Sequence, residues 1–240
     1  MPALLIHGNP DSSRLWDRVK ANLGSYDGEV VAADLPGFAE PAPDGFPCTK
    51  EAYVEWIAEQ ARGLGGNVDL VGHDWGSLLV QRVASIHGDL LNTVACGGAT
   101  VDPAYEWHPL AQVWQTPGEG ERYMAEELTD EFGIEHLVEN GVPREDAERN
   151  IWLTDYGKDT ILKIYRSAIE IGPEWGPEVE RQQVPAMVIW GRTDPYVPFE
   201  FGEALARRMN GELVALDCGH WWPFERPKET AEALLRHWSR

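Results

Sequence analysis

An aspartate stands at the centre of Gly72-His73-Asp74-Trp75-Gly76, between the apolar run Val68-Asp69-Leu70-Val71 and a helical segment that begins at Ser77. Small residues two before and two after the central position permit a strained strand-to-helix turn that thrusts the middle side chain into a cleft. A helix N-terminus there favours negative charge on the carboxylate. Three other loops follow apolar runs in the same manner: His7-Gly8-Asn9-Pro10, Trp190-Gly191-Arg192-Thr193-Asp194-Pro195 and Asp217-Cys218-Gly219-His220. They supply backbone N–H groups, a second acid and a histidine. In chain order the set runs Asp74, Asp194, His220, that is, nucleophile, acid, base. Asp102 and Asp217 are the alternative places for the orienting acid.

A carboxylate at the centre of such a turn suits attack on saturated carbon. Displacement by a serine oxygen would leave an ether that water does not readily cleave, whereas displacement by Asp74 leaves an alkyl ester with an attackable carbonyl carbon. His220 then serves as general base toward water, Asp194 orients its ring, and the N–H groups of Asn9 and Trp75 hold the oxyanion. The carboxylate is already ionised at pH 7, so the base is needed only for the second half of the reaction. No metal or cofactor enters this scheme.

Six short apolar runs must carry these loops: Ala3 to His7, Glu29 to Ala33, Val68 to Gly72, Asn92 to Cys96, Ala186 to Trp190 and Glu212 to Asp217. They alternate with segments of helical period, the pattern of a mostly parallel sheet covered on both faces. Thr49 is placed to N-cap a helix in which Ala52, Tyr53, Trp56, Ile57 and Leu64 recur at helical spacing; Ser77 to His87 and Lys228 to Trp238 read likewise. From about Asp102 the alternation stops and the chain turns helical, acidic and aromatic. The spacing predicts a core of residues 1–101 and 179–240 with a helical cap over 102–178. Gly172-Pro173-Glu174-Trp175-Gly176-Pro177 is expected to break the last helix and return the chain to the sheet.

Taken together the four loops resemble those of the α/β-hydrolases, and an aspartate in the elbow resembles the haloalkane dehalogenase and epoxide hydrolase branch. The likeness covers nearly the whole chain; the stretch from His7 through Asn9 and Ser12 to Trp16 is most similar to dehalogenases. It implies an α/β-hydrolase fold with an inserted lid. It also implies that the Trp75 indole and the Asn9 side chain hold a departing halide. In epoxide hydrolases two lid tyrosines protonate the opening ring instead. Tyr165 resembles the second of these, while the first has no counterpart in place and Tyr105 or Tyr123 would have to substitute. Trp114, from the lid, and Trp221, beside the histidine, are expected at the substrate pocket. Dehalogenation of a small haloalkane ranks first on Asn9 and Trp75, epoxide hydrolysis second, and a non-catalytic ligand receptor third. Two departures stand out. Ala39 and Pro41 replace the Gly and Ser usual in the loop after the second strand, and the antiparallel strands that usually begin this fold are missing. The strand Glu29 to Ala33 is then a bare edge, which suggests a homodimer.

The composition fits a small apolar substrate and water as the only partners. Forty acidic against 20 basic residues give a net charge of −20, which repels phosphate backbones and anionic lipids. No apolar stretch approaches a membrane span, and the opening residues lack the basic flank of a signal peptide. Three scattered cysteines, Cys48, Cys96 and Cys218, fit free thiols in the cytoplasm.

Overall fold

The computed structural model describes residues 1–24 and 26–239. Each of the six apolar runs forms a strand: β1 Ala3–Ile6, β2 Val30–Ala33, β3 Val68–His73, β4 Leu91–Gly97, β5 Ala186–Gly191 and β6 Glu212–Leu216. They make one sheet in the order β2-β1-β3-β4-β5-β6, with every neighbouring pair parallel. Period-two alternation sends successive side chains to opposite faces. Leu4, Ile6, Leu70, Val94, Val188 and Trp190 pack in one core, and Ala3, Leu5, Val71, Ala95, Met187 and Ile189 in the other. Burial on both sides is why the strands read as apolar runs and not as alternating ones. No antiparallel strand is present among the described residues, and β2 lies at one edge with its side chains only half-buried.

Helices α1 (Asp17–Asn22) and α12 (Pro227–Trp238), with the short α11 (Trp222–Glu225), cover one face; α2 (Lys50–Gly63), α3 (Trp75–Ile86) and α10 (Phe199–Arg208) cover the other. Thr49 does cap α2, accepting the Ala52 N–H at 3.4 Å through its hydroxyl, and the helix buries Tyr53, Val54, Ile57, Ala58 and Ala61. Between β4 and β5 six helices follow in succession: α4 Pro109–Gln115, α5 Glu119–Glu126, α6 Asp130–Glu139, α7 Arg144–Asn150, α8 Asp155–Arg166 and α9 Ile171–Val179.

The expected break at Gly172 to Pro177 does not occur, because this stretch lies within α9. Pro173 falls in the first turn, where a helix has no acceptor for its N–H groups, so the missing donor costs nothing. Pro177 follows four residues later and merely leaves the Pro173 carbonyl unbonded. The glycines serve approach rather than termination. A Cβ on Gly172 would lie 2.8 Å from the Asp102 carbonyl oxygen, and one on Gly176 would lie 2.6 Å from that of Val101. Helix α9 therefore rests directly on the chain leaving β4.

Strand order decides where the chemistry gathers. From β1 the chain moves outward to β2 and then crosses back over to β3 on the other side of β1. The carboxyl ends of β1 and β3 thus flank a crevice at the point where the winding reverses. The loop with Asn9 leaves β1 there, and Asp74 leaves β3.

Candidate active site

Asp74 sits between β3 and α3 with φ 52° and ψ −120°, a conformation that is strained for any residue with a Cβ. The neighbouring glycines make it possible. A Cβ on Gly72 would meet the Gly76 carbonyl oxygen at 2.3 Å, and one on Gly76 would meet that of Ile6 at the same distance. Helix, strand and turn therefore close on one another with no room for larger residues. The carboxylate that emerges has one oxygen engaged: the Asn9 N–H donates to Oδ1 at 2.8 Å. The Trp75 N–H opens α3, where backbone donors lack helical acceptors.

His220 and Asp194 arrive from the loops after β6 and β5. Nδ1 of His220 is 2.8 Å from Asp194 Oδ2, and Nε2 is 3.7 Å from Asp74 Oδ2. The other oxygen of Asp194 accepts the N–H groups of Tyr196 at 2.9 Å and Val197 at 3.0 Å, so the acid is rigidly held. Glu225 steadies the histidine loop by accepting the Gly219 N–H at 3.0 Å. Of the two alternative acids, neither is bonded to His220, whose Nδ1 meets Asp194. Asp102 pairs with Arg208 at 3.2 Å, and the Asp217 carbonyl accepts from Arg226.

Charge sharpens this geometry. Burial favours a neutral His220, but the charge and hydrogen bond of Asp194, reinforced by Asp74, overcome it and raise the imidazole to about 10. Burial would also raise Asp74, yet His220, with His73 and the Asn9 N–H, outweighs it and holds the carboxyl below the usual range. An ionised carboxylate thus faces an imidazolium. If the carboxylate became an ester, its pull on the histidine would vanish, the imidazolium would shed its extra proton more readily, and the neutral ring could then take one from water.

These groups open onto a cavity between the sheet and the helices that follow β4. Its wall includes Asn9, Asp74, Trp114, Tyr165, His220 and Trp221. Trp75 is placed differently: its indole is fully buried, stacked on Trp107 at 5.7 Å and edge-on to Tyr165 at 4.9 Å. The Tyr165 hydroxyl stands beside both the Trp75 indole N–H and the Asn9 side chain, and burial together with the Asp74 charge keeps it protonated well above the usual phenol range. Of the two substitutes for a second tyrosine, Tyr105 lines the cavity but donates its hydroxyl to the Tyr196 carbonyl at 3.3 Å, and Tyr123 packs on Trp114. Trp222 faces away, edge-on to Trp16 and His73.

His108 is a cavity residue that sequence reasoning missed. It caps α4: its Nδ1 accepts the Ala111 N–H at 3.2 Å, which leaves the ring proton on Nε2. Burial lowers it to about 4, so it is a neutral N–H donor. The signal was the Pro at the first position of a helix, which marks the preceding residue as a cap. Tyr196, whose hydroxyl bonds His136, also lines the wall. None of the residues forming this wall is Lys or Arg. Among the described residues no cluster of His, Cys, Asp or Glu is arranged to hold a metal, and no helix is long and apolar enough to cross a membrane.

Comparison with known proteins agrees with this architecture. Residues 3–233 match the family described as alpha/beta hydrolase. A 2-hydroxy-6-oxo-6-(2'-aminophenyl)hexa-2,4-dienoic acid hydrolase of Metapseudomonas resinovorans is 25% identical, over 100% of this chain and 84% of its own. Epoxide hydrolase 3 of Xenopus tropicalis is 27% identical over 96% and 69%. Haloalkane dehalogenase 1 of Mycobacterium tuberculosis is 32% identical, but only over 46% and 41%. Among solved structures, a putative epoxide hydrolase from Pseudomonas aeruginosa superposes with a TM-score of 0.80 at 22% identity, over 99% of this chain and 88% of that one. A six-stranded parallel sheet, an aspartate elbow and a match along almost the entire length have one common reading: the chain belongs to the alpha/beta hydrolase family and is a hydrolase.

Proposed function

We propose that the protein opens epoxides to vicinal diols through an ester on Asp74, with the helices from α4 to α9 acting as a cap. The observation that carries this reading is Tyr165 itself, on the cavity wall with Asp74 and Asn9 and edge-on to the Trp75 indole at 4.9 Å, its buried hydroxyl kept protonated and so able to donate. The order that Asn9 and Trp75 alone suggest is thereby reversed.

In this mechanism Oδ2 of Asp74 attacks a ring carbon, because Oδ1 is engaged by the Asn9 N–H. The ring C–O bond breaks and the departing oxygen takes the Tyr165 proton, with His108 Nε2–H as a second donor. The product is a hydroxyalkyl ester. With Asp74 esterified, the imidazolium of His220 loses its extra proton to solvent; the neutral ring then removes a proton from water, whose oxygen attacks the ester carbonyl carbon, while the Asn9 and Trp75 N–H groups hold the oxyanion. Collapse releases the diol, whose new hydroxyl takes the proton that His220 drew from water, and the carboxylic acid left on Asp74 passes its proton to His220, which restores the ion pair. Water restores the Tyr165 proton as the product leaves.

The cavity's chemistry narrows the substrate. Leu78, Leu128, Ile161 and the aromatic residues favour an apolar, aryl-bearing molecule. With no Lys or Arg on the wall, and the charge of His220 already paired with Asp194 and Asp74, nothing there balances a carboxylate substrate such as the dienoic acid of the relative's name. Halide displacement is the second reading, favoured by the retained pair Asn9 and Trp75. Incubation with styrene oxide and, separately, with 1-bromobutane decides between them. Diol without halide supports the proposal; halide release with no diol reverses it.

A further inference from the structure

Asp11 lies two residues beyond Asn9, is fully buried, and has no part in the reaction above. Its contacts come from three distant parts of the chain. Asn150, at the end of α7, donates its Nδ2 to Oδ1 at 2.5 Å. Trp221, which follows His220, donates its indole N–H to Oδ2 at 3.3 Å. His73, which precedes Asp74, has its Nδ1 3.8 Å from that same oxygen, while its Nε2 is 2.9 Å from the His220 carbonyl.

Asn150 is held from its other end as well. Its Oδ1 accepts from the Ser12 N–H at 3.0 Å and the Ser12 hydroxyl at 2.9 Å, and the Trp152 indole donates to the Asp11 carbonyl at 2.7 Å. Ser12 offers two donors and Asp11 an acceptor, so the amide has one orientation that satisfies all three. With Asn150 only 1% exposed, no water replaces a lost partner. The helices over the cavity are thus bolted to the loop that carries the Asn9 N–H, and the bolt bears on the residues beside both His220 and Asp74.

We propose that Asp11 and Asn150 are positioning residues, through which seating of the helices between β4 and β5 aligns His220 and the Asn9 N–H for hydrolysis of the ester. With Asn150 in place, Asp11 holds Trp221 and so the loop of the base; without it, the carboxyl turns and the loop loosens. The inference rests on the aspartyl-ester reading. It deepens that reading by predicting that the cap controls the second half-reaction more than the first, because alkylation does not use the base.

Single turnovers with styrene oxide, quenched and weighed by mass spectrometry, follow formation and loss of the ester separately. In Asn150→Ala, ester hydrolysis is expected to slow ~10- to 100-fold while ester formation stays within about threefold, so that KM falls with kcat. Asp11→Asn should behave alike, and the double variant should be no slower than the worse single one. If Asn150→Ala does not fold, Ser12→Ala, which removes one hydroxyl and leaves the backbone bond, should show the same imbalance to a smaller degree. Equal slowing of both steps, or no slowing in a folded variant, overturns the inference. His220→Gln keeps the two questions apart. If it accumulates ester, the reading stands whatever Asn150 does; if it never does, the reading fails and the inference with it.

Discussion

Nε2 of His220 stands 3.7 Å from Oδ2 of Asp74, beyond hydrogen-bond length and within the range of an ion pair. The two groups therefore attract without sharing a proton, as the proposed roles of Asp74 as nucleophile and His220 as later base require. Replacing His220 with Gln should leave attack intact and stop turnover. The expected result is protein heavier by one substrate mass and a kcat lower by ~10²- to 10⁴-fold. Asp74→Asn should form no adduct.

The same pair sets a pH signature for each half-reaction. Asp74 is held below the usual carboxylate range, so ester formation should be flat from about pH 6 to 8. The imidazole, raised to about 10 in the free protein, loses the contribution of Asp74 once the ester forms. Hydrolysis should then rise with pH through the range where the remaining partner, Asp194, still favours the proton. Rapid-quench measurement of the two rates at each pH checks this; parallel profiles would count against it.

Tyr165→Phe distinguishes the leaving groups. Removing the hydroxyl beside Asn9 and Trp75 takes away the donor to an opening epoxide, and ester formation from styrene oxide should fall by ~10²-fold or more. Bromide displacement from an alkyl bromide should be unchanged or faster in the same variant, because a site for the anion is opened. His108→Asn, with its different reach, should cost less, ~10-fold, and add to the loss in the double variant.

Gly8 has no room for a methyl group. A Cβ there would stand 2.3 Å from Asp74 Oδ1 and 2.4 Å from its Cβ. In Gly8→Ala either the nucleophile or the loop bearing the Asn9 N–H must move. Stability should fall by ~1–3 kcal/mol and turnover by ~10²-fold, out of proportion to the fold's loss. Thermal unfolding and kcat on one preparation test the disproportion.

Stability should decline on the acid side. His73 and His108 are each lowered by burial to about 4, whereas in the unfolded chain they titrate near 6.5. As pH falls through that window the unfolded state binds protons first, and each histidine withdraws on the order of 3 kcal/mol by about pH 4. Asp11, raised by burial and Asp74 to about 7, works in the opposite direction but is outnumbered. His220 contributes fully below 6.5 and loses its contribution as pH rises through about 10. Tm should therefore peak near pH 6.5 to 7, and His108→Asn should flatten the acid limb relative to the parent.

Much of this was legible in the chain because the information is local. Leu4, Ile6, Leu70 and Val94 sit in runs whose burial on both faces leaves a continuous apolar signature, and Thr49 signals a helix through a hydroxyl three residues from the N–H it caps. Gly72 and Gly76 reveal the elbow because no other residue fits there. Gly172 and Gly176 mislead by the same logic, since a glycine that permits close approach looks in sequence like one that ends a helix.

What the chain determined unaided was the strand set, the elbow, and the loops after the strands that carry Asp74, Asp194 and His220, all properties of short windows whose periodicity and sterics act within a few residues. Tertiary structure alone decided which acid meets His220, that Trp75 is buried behind Tyr165, that His108 joins the tyrosines on the cavity wall, and that Asn150 reaches Asp11 across 139 positions. Such relations depend on how the helices after β4 settle over the crevice at the ends of β1 and β3. That packing sums many weak contacts from the whole molecule, and no single stretch of sequence encodes it.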